Sequence, residues 1–512
     1  MYYTYLKNYS ALLILSLLSI GLYSQQIQLL NSDNLRIDGI NKMKYCTGNI
    51  RILNDGVYIH CDSAAINDAQ NTMEGHGNVY IFQPDTFNLR GKMVFFNANT
   101  KMARVSGDVV LSDNQMVLNT PFIDYNTLNK SGSYSSGGTI LSGSDVLSSE
   151  KGYYDSRNKV ASFRKNVLLK NPDYTVISDT LQYFTSKKTA YFFGPTTLLS
   201  DNNKIECVYG WYNTSLKQSS FSKRAHLYSQ TSIVSADSFF YDRGKGIGLA
   251  YVDIVLYDTL ENFKVYGQNG WYNENSKVAK ISEWPMAEKF SEKDTFFVLA
   301  DTFYYFSDTA NRRLEALKNA KILSAEMSGK SDSLYYFTKD SCIVMKNTPY
   351  LWNGKSQING DSIHIQMREN KIHTMHVVEN SFVISWHEED RFDQIAGNRI
   401  TNFFDNNKLQ LVDVDGKAQS IYYSRDNDTG AYSAINKIES GKMAIYLDSN
   451  KVSQIKIFPS PNPSGKLYPP KQFSTEDKKL KGFTWLPHLQ PVAIDFIERR
   501  PVAKNNTENG KN

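Results

Sequence analysis

The sequence predicts an all-β repeat protein. Three observations predict it: a six-residue block that returns about every 29 residues, apolar runs that alternate with a period of two inside each copy, and no helical pattern after residue 24. The block is a small residue, a polar residue that is often Asp, and then alternating apolar and aromatic positions. It reads Ser32-Asp33-Asn34-Leu35-Arg36-Ile37, Cys61-Asp62-Ser63-Ala64-Ala65-Ile66, Ser178-Asp179-Thr180-Leu181-Gln182-Tyr183 and Ser331-Asp332-Ser333-Leu334-Tyr335-Tyr336. Its sixth residue falls at 37, 66, 96, 125, 154, 183, 212, 241, 272, 305, 336 and 365, with looser copies ending at Asn402 and Tyr446, for about 14 repeats in all. A two-stranded unit is marginal alone and buries its apolar face only by stacking on its neighbours.

Each repeat reads as strand, turn, strand, turn. In the first run the fourth and sixth block residues share a face: Val94 and Phe96, Ile123 and Tyr125, Leu181 and Tyr183, Phe239 and Tyr241, Phe303 and Tyr305, with Tyr212 in the same phase. The second run follows about 13 residues later and often opens on Gly, as in Gly77-Asn78-Val79-Tyr80-Ile81. Its inward pairs are Val79/Ile81, Val109/Leu111, Val167/Leu169, Ala225/Leu227 and Ile254/Leu256. Segments such as Asn97-Ala98-Asn99-Thr100-Lys101 and Asp242-Arg243-Gly244-Lys245-Gly246 read as turns. One rung per repeat would make an elongated body roughly 65–70 Å long, at about 4.8 Å per rung.

Residues 1–24 read as a secretory signal, with Lys7 before an apolar stretch from Ala11 to Leu22 that is too short to span a bilayer. The alternative is an uncleaved anchor helix. No Cys follows the stretch, which argues against a lipoprotein anchor, and no later segment is apolar enough for a membrane helix. The net charge of +5 is spread along the 512 residues, so no concentrated basic face points to nucleic acid. The four Cys permit two disulfides, with Cys46 and Cys61 as a candidate pair, but Cys61 and Cys207 occupy the block's small position and read first as small buried residues. The repeat region runs over 27–457. From Pro459 a Pro-rich, largely irregular tail (458–512) follows, with an apolar patch at Phe483-Thr484-Trp485-Leu486 suited to cap the stack or to dock a partner, and a final stretch from Lys504 that reads as disordered.

Catalytic signals are weak. His373 and His376 fall on opposite faces of an extended chain, poor for holding a metal with His364. The recurring Asp33, Asp62, Asp179, Asp237, Asp301, Asp332 and Asp361 read as turn or strand-entry residues facing water rather than a calcium ladder. There is no Gly-rich phosphate loop and no nucleophile elbow. No cofactor is expected. What remains is the apolar interior. Small residues replace the bulky fourth position at Ala64, Gly152, Gly210 and Gly270, so a sheet pair that stays open along one side would present an apolar groove fit for long acyl chains. The two end strands invite head-to-tail β-augmentation.

The block of Ser178 to Tyr183 or Ala236 to Tyr241, the strand of Gly77 to Ile81 and the export signal resemble the OstA/LptA family of lipopolysaccharide-transport proteins, in a long OstA-like form, over roughly residues 27–457. The resemblance implies a β-jellyroll whose hydrophobic groove holds lipid A acyl chains. It also implies a non-enzymatic periplasmic role in outer-membrane assembly, and head-to-tail partners among other lipopolysaccharide-transport proteins. Groove candidates by alternation are Val94, Phe96, Val109, Leu111, Ile123, Tyr125, Val167, Leu169, Leu181, Tyr183, Tyr212, Phe239, Tyr241, Ile254, Leu256, Phe303 and Tyr305. Competing readings are a structural or adhesive β-solenoid with a closed packed core, and a β-helix carbohydrate enzyme with an external charged cleft.

Overall fold

The computed structural model describes residues 26–113, 116–155, 157–200, 203–290, 295–369, 371–426, 429–448, 451–458, 463–469 and 478–497. The expected signal segment, prolines 459 and 461 of the linker and the final stretch lie outside the described residues. The chain divides after Ser215 into two compact units. Both are built of antiparallel strands, as the alternation predicts. Among the described residues helix is confined to the turn Pro487–Leu489 and the short Ile494–Ile497.

The strands are longer than the runs that signal them. Many cover 10 to 12 residues, as in Thr72–Gln83, Phe87–Asn97 and Met102–Ser112. The glycine that opens the second run therefore sits in the middle of a strand, not at its start. There two successive residues take positive φ: Gly77 and Asn78 (+74° and +37°), Lys165 and Asn166 (+64° and +51°), Lys318 and Asn319 (+64° and +52°). The ladder skips at each such corner, for example between His76 and Val79 and between Arg164 and Val167. A bulge of this kind bends a strand sharply. Each bent strand thus contributes one arm to sheet A, which carries the fourth to sixth block residues, and one arm to sheet B, which carries the second run. Because both strands of a repeat enter each sheet, the expected rise of one rung per repeat is corrected to two strand spacings, about 9.5 Å.

The block's polar residue stabilises this corner. Asn49 Nδ2 donates to Asp33 (3.0 Å), Asn78 to Asp62 (2.8 Å), Asn166 to Glu150 (2.6 Å), Asn319 to Asp301 (3.0 Å) and Asn380 to Asp361 (3.1 Å). At Gly107 the roles swap, and Lys92 Nζ donates to Asp108 (2.5 Å). The block's first residue is small because the neighbouring arm passes close by. A Cβ on Gly91 would lie 2.4 Å from Val105 Cγ1, and one on Gly267 2.3 Å from Ile281 Cγ2. The turns follow their composition: Asn97 Oδ1 accepts from the backbone N–H of Asn99 and Thr100.

The inner faces of sheets A and B meet. In the first unit Phe96, Val105, Ile123 and Phe163 on sheet A and Ile52, Ile59, Ile81 and Leu89 on sheet B are fully buried. In the second, Phe303, Met345, Ile363 and Val414 on sheet A form one cluster with Val265, Val298, Ile322 and Leu351 on sheet B. The four cysteines are free thiols. Burial, with Asp62 and Cys46 close by, pushes the Cys61 thiol up to about 11.

Corner geometry sets a testable order of cost. A Cβ at Gly77 would come within 2.3 Å of the Asp62 carboxylate, whereas at Gly194 (φ +83°) the nearest atom is 3.5 Å away. Gly77→Ala should therefore destabilise by about 2–3 kcal/mol and Gly194→Ala by only about 1 kcal/mol, read from denaturant midpoints.

Candidate functional site: the seam between the two sheets

A bent strand is closed at its corner and open at its two free ends, so the ends of sheets A and B face each other across a seam. All seventeen groove candidates project into the space behind that seam, but with different burial. Val94, Phe96, Val109, Leu111, Ile123, Tyr125, Val167, Leu169 and Leu181 are at most 4 % exposed. Tyr212, Ile254, Leu256, Phe303 and Tyr305 are also buried, whereas Tyr183, Phe239 and Tyr241 are half-buried.

In the first unit the seam is bridged. Lys101 Nζ, on a sheet A turn, donates to Asn54 Oδ1 (2.9 Å) and to the Asp55 carboxylate on a sheet B turn. Phe87 of sheet B packs on Tyr125 of sheet A with ring centroids 4.6 Å apart, as does Tyr174 on Tyr212. Tyr154 Oη donates to Asp113 across the gap (2.5 Å). The crevice left between Met116, Ile140, Leu147, Phe163, Leu169 and Tyr183 has a volume of about 20 Å³, room for a water or two and not for an alkyl chain.

The second unit differs. Along strands Ser232–Asp242, Ile247–Asp258 and Phe263–Asn273 the inner residues Val234, Phe239, Ala250 and Tyr272 pack against the core yet remain half exposed, and Tyr241 is half exposed beside them. Gly248 stands here between Tyr241 and Tyr272, while Ala250 and Gly270 lie in the row of Phe303, where Ile254 of sheet B comes within 3.0 Å of the place a Cβ on Gly270 would take. Tyr241 Oη does not cross the seam but donates to the Glu274 carboxylate on its own side. Burial, then the Glu274 carboxylate, holds the Tyr241 phenol above its usual range.

Beyond this stretch the seam closes again. Tyr305 Oη, on sheet A, donates to Asp258 on a sheet B turn, and Arg312 lies 3.9 Å from the same carboxylate. Asp258 is fully buried and also accepts from the N–H of Leu260 and Glu261 (2.9 Å each). Lys289 Nζ sits 5.1 Å from the Tyr336 ring. Further on, Ile358, Val383 and Ile395 on sheet B are again half exposed on the inner face.

The tail's apolar patch lies on the outer face of sheet B in the second unit. Two fully buried glutamines hold its backbone. Gln394 donates to Lys478 O (2.7 Å) and accepts from Leu480 N–H (2.8 Å); Gln357 donates to Thr484 O (2.7 Å) and accepts from Leu486 N–H (2.8 Å). Phe483 meets Phe392 at 5.1 Å and Phe382 at 6.4 Å, and Trp485 meets Phe392 at 5.6 Å. Phe496 is buried against Met286 and Leu299. Sheet B here is thus covered on both faces. No local pattern announces this, since the two glutamines precede the tail residues they hold by more than 80 positions.

Among the described residues no three metal-ligating side chains come together. His376 stands across from His364 rather than with His373. No helix among the described residues is long and apolar enough to cross a membrane.

A model of the OstA-like protein family matches residues 24–179 and 175–237, and a model described as LptA/(LptD N-terminal domain) LPS transport protein matches residues 292–371. Together they span more than half of the chain. The chain is an OstA/LptA-like protein. No curated protein matches it. Among solved structures, LptH from Pseudomonas aeruginosa, described as the LptA homologous periplasmic component of the conserved lipopolysaccharide transport device, is 20 % identical. That match covers 22 % of this chain and 80 % of that one with a TM-score of 0.20, too partial a superposition to bear on the seam. In this OstA-like chain both matched regions fall on the bent-strand repeats.

The tail's attachment is testable. Gln394→Ala removes both hydrogen bonds to Lys478 and Leu480 and leaves those buried backbone groups unpaired, at a cost of about 2–3 kcal/mol. Trypsin cleavage at Lys478, Lys479 and Lys481 of the folded chain should accelerate roughly tenfold or more, measured by mass spectrometry of timed digests.

Proposed function

We propose that the chain is a non-enzymatic periplasmic protein that binds lipopolysaccharide and helps carry it toward the outer membrane, with lipid A acyl chains lodged between sheets A and B. The observation that carries this reading is the opening at residues 232–273. There, half-exposed Val234, Phe239, Tyr241 and Tyr272 line an apolar interior reached from solvent. Family membership supplies the class of cargo. Burying each methylene of an acyl chain in such an interior is worth about 0.8 kcal/mol, so a few lodged carbons suffice for affinity.

The bridged rungs then act as closed segments that cargo must part, by breaking contacts such as Tyr305 to Asp258. Partners at the two ends would be other lipopolysaccharide-transport proteins added by strand pairing. The first described strands, Gln28–Asn31 and Asn34–Asp38, present exposed Leu30, Leu35 and Ile37. The strand Ser464–Tyr468 presents exposed Leu467. The packed seam of the first unit favours a second reading for that unit alone, a structural solenoid.

The test is photocrosslinking in living cells with a photoreactive residue at Tyr241. Lipopolysaccharide adducts are expected at Tyr241 and Tyr272 and not at Phe96 or Ile123. Gly248→Leu should cut the yield severalfold without unfolding the unit, because a Cβ at Gly248 meets only ordinary contacts at 3.7 Å from Tyr241 and Tyr272 while the longer side chain fills the opening. Folded protein that gives no adduct at Tyr241, Tyr272 or Phe239 would leave the solenoid reading in place.

A further inference from the structure

The outer face of sheet A in the second unit carries a cluster that the lipid reading does not use. Four adjacent strands, Cys342–Lys346, Ser362–Arg368, Lys371–Glu388 and Arg391–Asp405, set Val344, His364, His376 and Thr401 side by side in one row. The next row on the same face holds Lys346, Ser362, Val378 and Arg399. The intervening Met345, Ile363, Val377 and Ile400 are in the core, so both rows face outward. Residues directly opposite in antiparallel strands have Cβ atoms about 5 Å apart, which brings the two imidazoles together.

Each imidazole is tethered by a hydroxyl. Ser362 Oγ lies 3.2 Å from His364 Nε2, and Thr401 Oγ1 lies 3.1 Å from His376 Nδ1. That leaves one ring nitrogen of each free for a ligand. The charged surroundings are lopsided. Lys346 and Arg399 flank the pair, and Lys346 currently rests 5.3 Å from the Tyr335 ring. On the next strands Asp413 is already paired with Lys442 (3.1 Å), and Asp415 stands between Arg399 and Lys442 in the register. Cys342, on the far side of Val344, is a half-buried thiol. With two fixed cations beside it, the histidine pair is a poor seat for a metal ion and a good one for an anion.

We propose that His364, His376, Lys346 and Arg399, with the hydroxyls of Ser362 and Thr401, bind a phosphoryl group on the outer face of sheet A. The donors surround the small floor made by Val378 and Val344. Guanidinium and ammonium groups are standard partners for phosphate oxygens, and two imidazoles add N–H donors that gain charge when an anion arrives. Burial, then His376, Lys346 and Arg399, hold His364 below its ordinary range; burial, then Arg399, does the same for His376. Without an anion both rings are therefore mostly neutral near pH 7. A bound phosphoryl group reverses the repulsion and raises both values, so affinity must rise as pH falls. The phosphoryl group could come from a phosphorylated saccharide headgroup or from free phosphate, and the inference stands whether or not the seam binds lipid.

The test is NMR titration of the histidine rings in the full chain from about pH 5.5 to about pH 8, in chloride, in inorganic phosphate and in a hexose 1-phosphate at matched ionic strength. Phosphate should raise the titration midpoints of His364 and His376, leave His226 unmoved, and bind about fivefold tighter at the acid end. Arg399→Gln should weaken binding about tenfold while far-ultraviolet circular dichroism stays unchanged. Tighter binding of the hexose phosphate assigns a phosphorylated headgroup, and tighter binding of inorganic phosphate assigns the free ion. Equal midpoints in chloride and in both phosphates would overturn the proposal, as would an Arg399→Gln chain that binds phosphate as well as the parent.

Discussion

The recurring corner is the constraint on which the rest depends. In every second strand, as in Thr72–Gln83, two successive residues with positive φ fold the chain into two arms, the partner strand Phe87–Asn97 bends beside it without positive φ, and an Asn–Asp or Lys–Asp contact holds the bend. Because the bend recurs about every 29 residues, the arms align into two sheets whose inner faces must meet. Everything functional follows from how well they meet at the free ends. A flat strand of the same composition would build a single sheet with no interior.

Closure of the seam is decided by side-chain volume and by a few polar contacts. Where the inner rows carry Phe and Ile, or a Tyr whose hydroxyl reaches a turn carboxylate on the other sheet, the arms close. Tyr154 with Asp113 and Tyr305 with Asp258 are the clearest cases. On either side of Gly248, Tyr241 and Tyr272 leave aromatic surface half exposed. The same sheet B that opens inward near Val383 and Ile395 is held on its outer face by the tail, through Gln357 and Gln394. The tail thus offsets the lost inner contacts with outer ones, covering Phe382, Phe392 and Ile384.

Much of the fold was legible in the sequence because it depends on local periodicity. Alternation at Val94/Phe96 or Val109/Leu111 names the buried face without reference to any other part of the chain. The corner was not legible, because Gly77-Asn78 has the composition of a turn and only pairing on both sides reveals it as a bulge inside a strand. The recurrent Asp faces water as its pattern suggested, but its bond to the corner was not legible, since its Asn partner lies 15 to 18 residues away on the neighbouring arm. Gly270 was recognised as a gap in the pattern, but that Ile254 fills it, and that Gly248 falls between Tyr241 and Tyr272, is set by strand register. Likewise His376 finds His364 only through pairing, and the tail finds Gln357 across 127 and more residues.

The central claim is that the seam at residues 232–273 is the part that yields to an acyl chain, while bridged rungs resist. Spin labels on Lys245 and Gln230 sit on the sheet A and sheet B turns that end the strand Ser232–Asp242, and labels on Asn311 and Leu260 flank the Tyr305 to Asp258 bridge. Pulsed electron resonance would read both distances with and without lipopolysaccharide. Widening and sharpening of the Lys245–Gln230 distance on adding lipid, with a smaller change at Asn311–Leu260, is the expected result. Identical distributions at Lys245–Gln230 with and without lipid would contradict the account.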